Sequence, residues 1–150
     1  MESMSSHQAI LDFLSAHNTL TLATVGPEGE VHAAAVFYAF TPDLHLIFLS
    51  EPDTLHAQHI GSGAPVAVTI QADGQDWQHI TGMQMHGLAR PAATGAREVY
   101  LSRFPFIART DALARALKTV RFYEMIPNWI RLIDNRLGFG HKREWRFTDY

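Results

Sequence analysis

Residues 19–60 read TLTLATVGPEGEVHAAAVFYAFTPDLHLIFLSEPDTLHAQHI, and their pattern of apolar, polar and turn residues predicts three strands and a helix. Leu20 and Leu22 alternate with polar residues, which predicts a first strand. The sequence GPEG at 26–29 supplies turn residues, and residues 31–40 form a second run that is rich in apolar and aromatic side chains. The two runs are therefore predicted to form a β-hairpin.

A third predicted strand, at residues 44–49, leads directly into a helix. The sequence SEPDT at 50–54 stops the strand and offers capping side chains for a helix that ends near Ile60. Because a helix N-terminus carries unpaired N–H groups, a strand that leads into one suits an anion. Two further strands are predicted at residues 66–70 and 77–88, so that the barrel strands lie within residues 19–91.

Further elements flank this central region on both sides. An apolar stripe on residues 5–17 predicts an N-terminal helix that covers one end of a barrel. Residues 94–119 are predicted to be an insertion of two helices, capped by Thr94 and Asp111. Pro127 is tolerated in a sheet at an edge or a bulge. The last strands are predicted within residues 120–150, at 122–126, 129–133 and 144–147.

Composition excludes several classes of protein. At 150 residues and 47% apolar content, the chain is predicted to form a single domain over residues 1–150. A net charge of −3 argues against nonspecific nucleic-acid binding, and the absence of cysteine excludes disulfides, thiolate catalysis and cysteine-ligated metals. No apolar run reaches the roughly 20 residues that span a bilayer, and no signal-peptide pattern is present. We therefore expect a cytoplasmic protein.

The segments TLATV at 21–25, HAAAVFY at 32–38 and FLSEPDT at 48–54 share an order and spacing with a known family. They resemble the pyridoxamine 5'-phosphate oxidase-like family of flavin-binding split barrels. The sequence DNRLGFGHK at 134–142 is similar to a small bacterial branch of the same family. The resemblance implies a mainly β (α+β) fold, a six- or seven-stranded antiparallel split β-barrel of the FMN-binding type with peripheral helices.

The resemblance also implies a binding site for FMN. The phosphate is expected at the turn after the third strand, in contact with Ser50, Thr54 and His56. The isoalloxazine ring is expected along Phe37 and Tyr38. The same resemblance implies a homodimer, and a small open barrel with exposed aromatic strand faces has a physical reason to bury them against a copy of itself.

Three more residues are candidates for the same site. Gln84 points either into the cofactor groove, as the family's fifth strand implies, or outward into solvent. By resemblance, Lys142 and Trp145 are expected to reach the flavin across the dimer interface.

The chain departs from the family pattern at the helix start. Many relatives place Arg and Lys there, where this chain has Leu55 and His56. Loss of one charge-assisted hydrogen bond costs on the order of 1.5 to 3 kcal/mol, which weakens affinity about tenfold or more. The leading interpretation is an FMN-dependent oxidoreductase that acts on an unidentified small molecule, with no catalytic residue named. The first alternative is a ligand-binding barrel without catalysis, in which the phosphate site is degraded.

The chain has nine histidines, so cofactors other than FMN are also considered. His56 and His59 share a helical face, but a solvated face explains this spacing more often than a metal does, and no metal site is predicted. Some split-barrel relatives are haem proteins, so His86 and His141 are candidate axial ligands. A deazaflavin is a further alternative to FMN.

Overall fold

The computed structural model describes residues 4–147, whose eight strands form one sheet in which every pairing is antiparallel. The strands are β1 Thr19–Val25, β2 Val31–Phe37, β3 Ala39–Phe40, β4 Leu46–Ser50, β5 Ala64–Gln71, β6 Thr81–Pro91, β7 Arg121–Asp134 and β8 Lys142–Arg146. Their order is β2-β1-β5-β6-β7-β4-β3, and β8 pairs with β7. The sheet curls so that β2 approaches β4, and within residues 4–147 no ladder joins these two strands. The predicted class is confirmed, with eight strands where six or seven were expected.

Helices cover the sheet at its ends and on one side. They are α1 Met4–Ser15, α2 Leu55–Ile60, α3 Ala96–Arg103, α4 Phe106–Arg109 and α5 Asp111–Ala116, with a 3₁₀ turn at Asn135–Leu137. Helix α1 closes one end of the barrel, where Ile10 and Leu14 are fully buried in the main core. Helices α3 to α5 lie between β6 and β7 in the chain and bury a second apolar cluster against β3 and β4. No helix within residues 4–147 is long and apolar enough to cross a membrane.

Strand β4 separates the two apolar clusters. Leu46 and Phe48 point into the main core, whereas Ile47 points into the cluster below α3. Successive side chains of a strand point to opposite faces, so a strand that is buried on both sides reads as an unbroken apolar run. The sequence LIFL therefore shows no alternation.

The prediction of one strand over residues 31–40 is wrong. The strand is interrupted at Tyr38, because β2 pairs with β1 whereas β3 pairs with β4 at the other end of the strand order. At the crossing the Tyr38 N–H donates to the Asn18 carbonyl (3.0 Å) and the ring is fully buried. The break follows from these long-range pairings.

The prediction of two strands on either side of Pro127 is also wrong. Strand β7 is continuous, and its ladder with β6 changes register at the step from His86 to Gly87. Pro127 lies opposite Gly87 at this bulge, a position at which a sheet tolerates proline.

Several predicted boundaries shift for local reasons. Strand β4 begins at Leu46, because Leu44 adopts a positive φ of 71° to close the preceding turn. Strand β6 begins at Thr81 instead of residue 77. The insertion contains three helices instead of two, and the predicted caps Thr94 and Asp111 each lie one residue away from the actual N-cap positions.

Candidate functional site

Helix α2 places two histidines beside the split of the barrel. Thr54 is its N-cap: the Oγ1 accepts from the Ala57 N–H (3.3 Å) and donates to the Glu51 carbonyl (2.9 Å). The predicted cap is therefore confirmed. The helix turns His56 toward β4 and His59 toward β1. The prediction that a solvated helix face explains this pair is wrong, because both imidazoles are buried.

His56 is held by hydroxyl groups. Its Nε2 lies 2.5 Å from Ser50 Oγ at the end of β4 and 3.4 Å from Thr54 Oγ1. Burial lowers the pKa of His56 below the ordinary histidine value, and the adjacent His32 and His59 lower this pKa further. An unliganded His56 is therefore biased toward the neutral form at neutral pH.

His59 presents an unused polar atom. Its side chain is 3% exposed, and its Nδ1 lies 2.8 Å from Thr24 Oγ1 on β1. Its Nε2 has no hydrogen-bond partner within residues 4–147 and lies 3.6 Å from Glu30 Oε1. Gly26 leaves the room for this arrangement, since a Cβ there would lie 2.7 Å from the same Nε2.

His32 on β2 completes a group that we call the histidine cluster, His32, His56 and His59. The His32 ring lies 6.3 Å from the His56 ring in a near-parallel arrangement and 6.3 Å from the His59 ring, edge to face. Within the described residues, no three His, Cys, Asp or Glu side chains are arranged to hold a metal ion. Three imidazoles with adjacent hydroxyl groups offer hydrogen-bond donors instead, which is the chemistry that an oxyanion needs.

The structure brings Ser50, Thr54 and His56 together at one place, as their predicted shared role requires. Phe37 lies at the far end of β2, with its ring 48% exposed and 5.6 Å from the Phe104 ring. It is available to a flat ligand, but not beside the hydroxyl groups.

Tyr38, the neighbour of Phe37, lies inside the fold. Its side chain is fully buried, and the hydroxyl donates to the Leu14 carbonyl (2.8 Å). The Tyr38 carbonyl accepts from Arg103 (2.8 Å). Burial raises the pKa of Tyr38 to about 12, against the opposing effect of Arg103. The hydroxyl and both backbone groups of Tyr38 thus have hydrogen-bond partners within the fold.

Trp145 also lies in the core. It is 2% exposed and faces inward, opposite Ile130 in the ladder of β7 and β8. Lys142 is three residues earlier on the same strand and therefore points to the opposite, outer side, where it is exposed. Lys142 and Trp145 therefore lie on opposite faces of β8, and their expected contact with a partner's flavin stays a prediction.

The remaining candidates lie away from the histidine cluster. Gln84 is on the outer side of β6, opposite Thr69 and Arg131 in its ladders. His86 is on the same side with its ring 4.5 Å from the Trp129 ring. His141 lines a different cavity, between α1 and the turn after β7, so His86 and His141 do not face a common ligand.

We define the outer face as the side chains of β1, β2 and β5 that point away from the main core. This face carries no charged side chain. Its residues are Thr19, Thr21, Ala23, Val25, Val31, Ala33, Ala35, Phe37, Pro65, Ala67, Thr69 and Gln71. Part of this face lines a groove of about 720 Å³ that His32 and His86 border. This outer face is a candidate contact surface.

The model of the pyridoxamine 5'-phosphate oxidase family matches residues 6–134 of the chain. The chain belongs to the pyridoxamine 5'-phosphate oxidase-like family. Within it, the UPF0306 protein YhbP of Salmonella schwarzengrund is 34% identical over 147 residues, which cover 95% of this chain and 94% of that protein. A UPF0306 protein of Klebsiella pneumoniae is 34% identical over 148 residues and 95% of each chain.

Solved structures share the fold of this family member at low sequence identity. A pyridoxamine 5'-phosphate oxidase-related, FMN-binding protein of Nostoc punctiforme has a TM-score of 0.63 at 12% identity, over 97% of this chain and 100% of that chain. HutZ, a heme storage protein of Vibrio cholerae, has a TM-score of 0.64 at 16% identity, over 80% and 88% of the two chains. These likenesses confirm the split barrel, and they establish the fold alone.

Sequence reasoning missed His32, Thr24 and Glu30 in this family member's candidate site. His32 and Thr24 lie in an apolar hairpin whose period predicts only a sheet, and Glu30 lies beside its turn. They meet α2 only because β1 and β2 curl over it. The single local signal was the three-residue spacing of His56 and His59, which is too common to identify a site.

Proposed function

We propose that the protein is a homodimeric flavoprotein that binds FMN through its phosphate at the histidine cluster and exchanges electrons with a small molecule. The observation that carries this proposal is the buried His59 Nε2, which has no hydrogen-bond partner within residues 4–147 and only the Glu30 carboxylate 3.6 Å away, beside the Ser50–His56 pair. Buried polar atoms are nearly always paired in folded proteins, so an unpaired one next to further donors indicates a missing ligand.

The donor set fits a phosphate. The Ser50 hydroxyl group and the imidazole nitrogens approach one another from β4 and α2, and His32 adds a ring from β2, whereas the Thr54 hydroxyl already donates to the Glu51 carbonyl. A phosphate has several acceptor oxygens and needs donors from more than one direction. Family membership and the FMN-binding neighbour support FMN as the source of that phosphate.

The bound flavin would supply the electron-transfer chemistry, whereas the chain would bind and orient it. With the phosphate fixed at the histidine cluster, the ring would extend along the edge of β2 toward Phe37. Gln84 and Lys142 lie on the outer side of the sheet, where a partner subunit would meet them. We assign no general acid or base.

The homodimer is proposed from the outer face. None of its twelve side chains carries a charge, although 18% of all residues do. A second copy of the chain offers the same uncharged surface, and a two-fold contact buries both surfaces at once.

Titration of the purified protein with FMN, followed by fluorescence and absorbance, tests the proposal, with riboflavin as the phosphate-free control. We expect FMN to bind and riboflavin to bind much more weakly. H56Q should weaken FMN binding about tenfold or more, because it removes a donor that can carry a charge. H79Q is the matched control, since His79 is exposed in the loop before β6. Equal affinities for FMN and riboflavin, or an H56Q variant that binds FMN as tightly as H79Q, would contradict the proposal.

A second candidate function, a ligand-binding barrel without turnover, is favoured by Leu55. This residue is 43% exposed at the first position of α2, where the family pattern has arginine. L55R should tighten FMN binding in either case, so affinity does not separate the two functions. Anaerobic addition of NADH or NADPH to the FMN complex does: bleaching of the flavin absorbance supports the oxidoreductase, and unchanged absorbance supports the second candidate.

A further inference from the structure

The chain has an uneven distribution of positive charge. Its first Lys or Arg is Arg90, so all twelve of these residues follow the strands and the helix that carry the histidine cluster. Strands β1, β2 and β4 and helix α2 therefore contain no side chain with a permanent positive charge. Arg121, at the start of β7, pairs with Ser50 in the ladder of β4 and β7 and is exposed.

The other groups around the cluster are neutral or acidic. Strand β1 contributes Thr24, strand β4 contributes Ser50, and β5 contains no titratable residue. Glu30 faces His59 from the turn before β2. Glu51 precedes α2 and accepts from Thr119 Oγ1 (2.8 Å), and Asp53 is exposed in the same connection.

We propose that protons on the histidine cluster supply the positive charge that holds the phosphate, so that ligand binding takes up protons and weakens as the pH rises above neutrality. This inference rests on the proposed function, because it concerns the same site. The distribution of charge supports it: a phosphate dianion at this position has imidazoles beside it, and the residue that pairs with Ser50 in the adjoining strand is the exposed Arg121. A dianion favours the charged form of each nearby imidazole.

Protonation also changes which hydrogen bonds are available. A neutral His56 with a bare Nε2 accepts a hydrogen bond from the Ser50 hydroxyl, and this hydroxyl then has no further hydrogen to donate to a ligand. A protonated His56 donates from Nε2 to Ser50 Oγ instead, which frees the Ser50 hydroxyl to donate to a phosphate oxygen. In the same way, a protonated His59 donates from Nδ1 to Thr24 and keeps a second N–H at Nε2.

The direction of the pH effect separates this site from one with fixed charges. The phosphate of FMN has a second pKa near 6, so above about pH 6.5 it is mostly dianionic and its own charge changes little. A site with permanent cations would bind equally well or better as the pH rises. The histidine cluster should instead lose affinity by up to about tenfold per pH unit for each proton taken up.

FMN titrations at about pH 6.5, 7.5 and 8.5 test this, with riboflavin at each pH. We expect FMN affinity to fall about tenfold or more over the range and riboflavin affinity to stay constant. Calorimetric titration at pH 7 in two buffers with different ionisation enthalpies should give different heats, which measures the protons taken up directly.

Replacement of His56 by a side chain with a permanent positive charge gives the most direct comparison. H56K should make the pH dependence of FMN binding shallower, because the ordinary pKa of lysine lies about four units above that of histidine and the phosphate dianion favours the charged ammonium group. H79K adds the same charge at the exposed loop and should leave the dependence steep. Circular dichroism checks that both variants fold, and if H56K does not, the buffer comparison on the parent protein still tests the inference.

Two results would overturn different claims. FMN that binds equally at pH 6.5 and 8.5, with identical heats in the two buffers, overturns the proton coupling and leaves the flavoprotein standing. FMN that fails to bind folded protein at any of these pH values overturns the proposed function and the inference together.

Discussion

Arg103 connects three parts of the molecule through a single side chain. From the end of α3 its guanidinium donates to the carbonyls of Tyr38 (2.8 Å), Leu14 (3.1 Å) and His17. It also lies 5.1 Å from the centre of the Phe40 ring. These carbonyls belong to the end of α1, the residues just after it and the crossing between β2 and β3, so their hydrogen bonds are satisfied by the insertion.

Replacement of Arg103 tests whether these contacts stabilise the fold. R103K should destabilise the fold by about 1.5 to 3 kcal/mol, because one ammonium cannot reach three carbonyls or stack on the rings. Urea unfolding measures the change. R97K on the exposed part of the same helix is the control and should stay within about 0.5 kcal/mol of the parent. Equal midpoints for the two variants would show that the Arg103 contacts add nothing to stability.

At the level of elements, the bulge between β6 and β7 depends on a missing side chain. A Cβ at Gly87 would lie 2.2 Å from the Ile126 carbonyl oxygen and 2.8 Å from the Pro127 Cα, both of which are backbone atoms. Backbone cannot move aside as a flexible side chain can. The close approach of the two strands at Pro127 therefore requires glycine on the opposite strand.

Two glycines of the same strand make a matched pair of variants. G87A should destabilise the protein by about 1 to 3 kcal/mol or more through overpacking. G82A should be nearly neutral, because a Cβ there meets no atom closer than 3.8 Å and the backbone has no positive φ. Thermal and urea unfolding of both variants would reveal this difference, and a G87A protein as stable as G82A would refute the close approach.

The sequence predicted correctly those elements whose form depends on neighbouring residues in the chain. The alternation in β1 and the Thr54 cap of α2 lie within a few residues of their causes, and both were predicted. The break at Tyr38 and the continuity of β7 through Pro127 depend on strands far away in the chain, and both were missed. The histidine cluster belongs to the second kind, since β2 brings His32 to α2 only after the sheet has curled.

For the whole molecule, the uncharged outer face has a direct test. A33E places a carboxylate on the β2 side of this face, beside the groove, where a second copy would have to bury it. We expect the parent protein to elute as a dimer in size-exclusion chromatography with light scattering, and A33E to elute as a monomer. A93E is exposed in the connection after β6 and should remain dimeric. A monomeric parent, or a dimeric A33E, would contradict the proposed interface.

Strand β7 has a consequence for the synthesis of the protein. It pairs with β6, β4 and β8. Ser50, at the end of β4, pairs with Arg121, which is synthesised 71 residues later. While the ribosome is still translating the insertion, β4 has only the two residues of β3 beside it, and its apolar side chains have no completed core. The barrel closes only after the C-terminal third of the chain has emerged, so the nascent protein carries an open sheet edge through most of its translation.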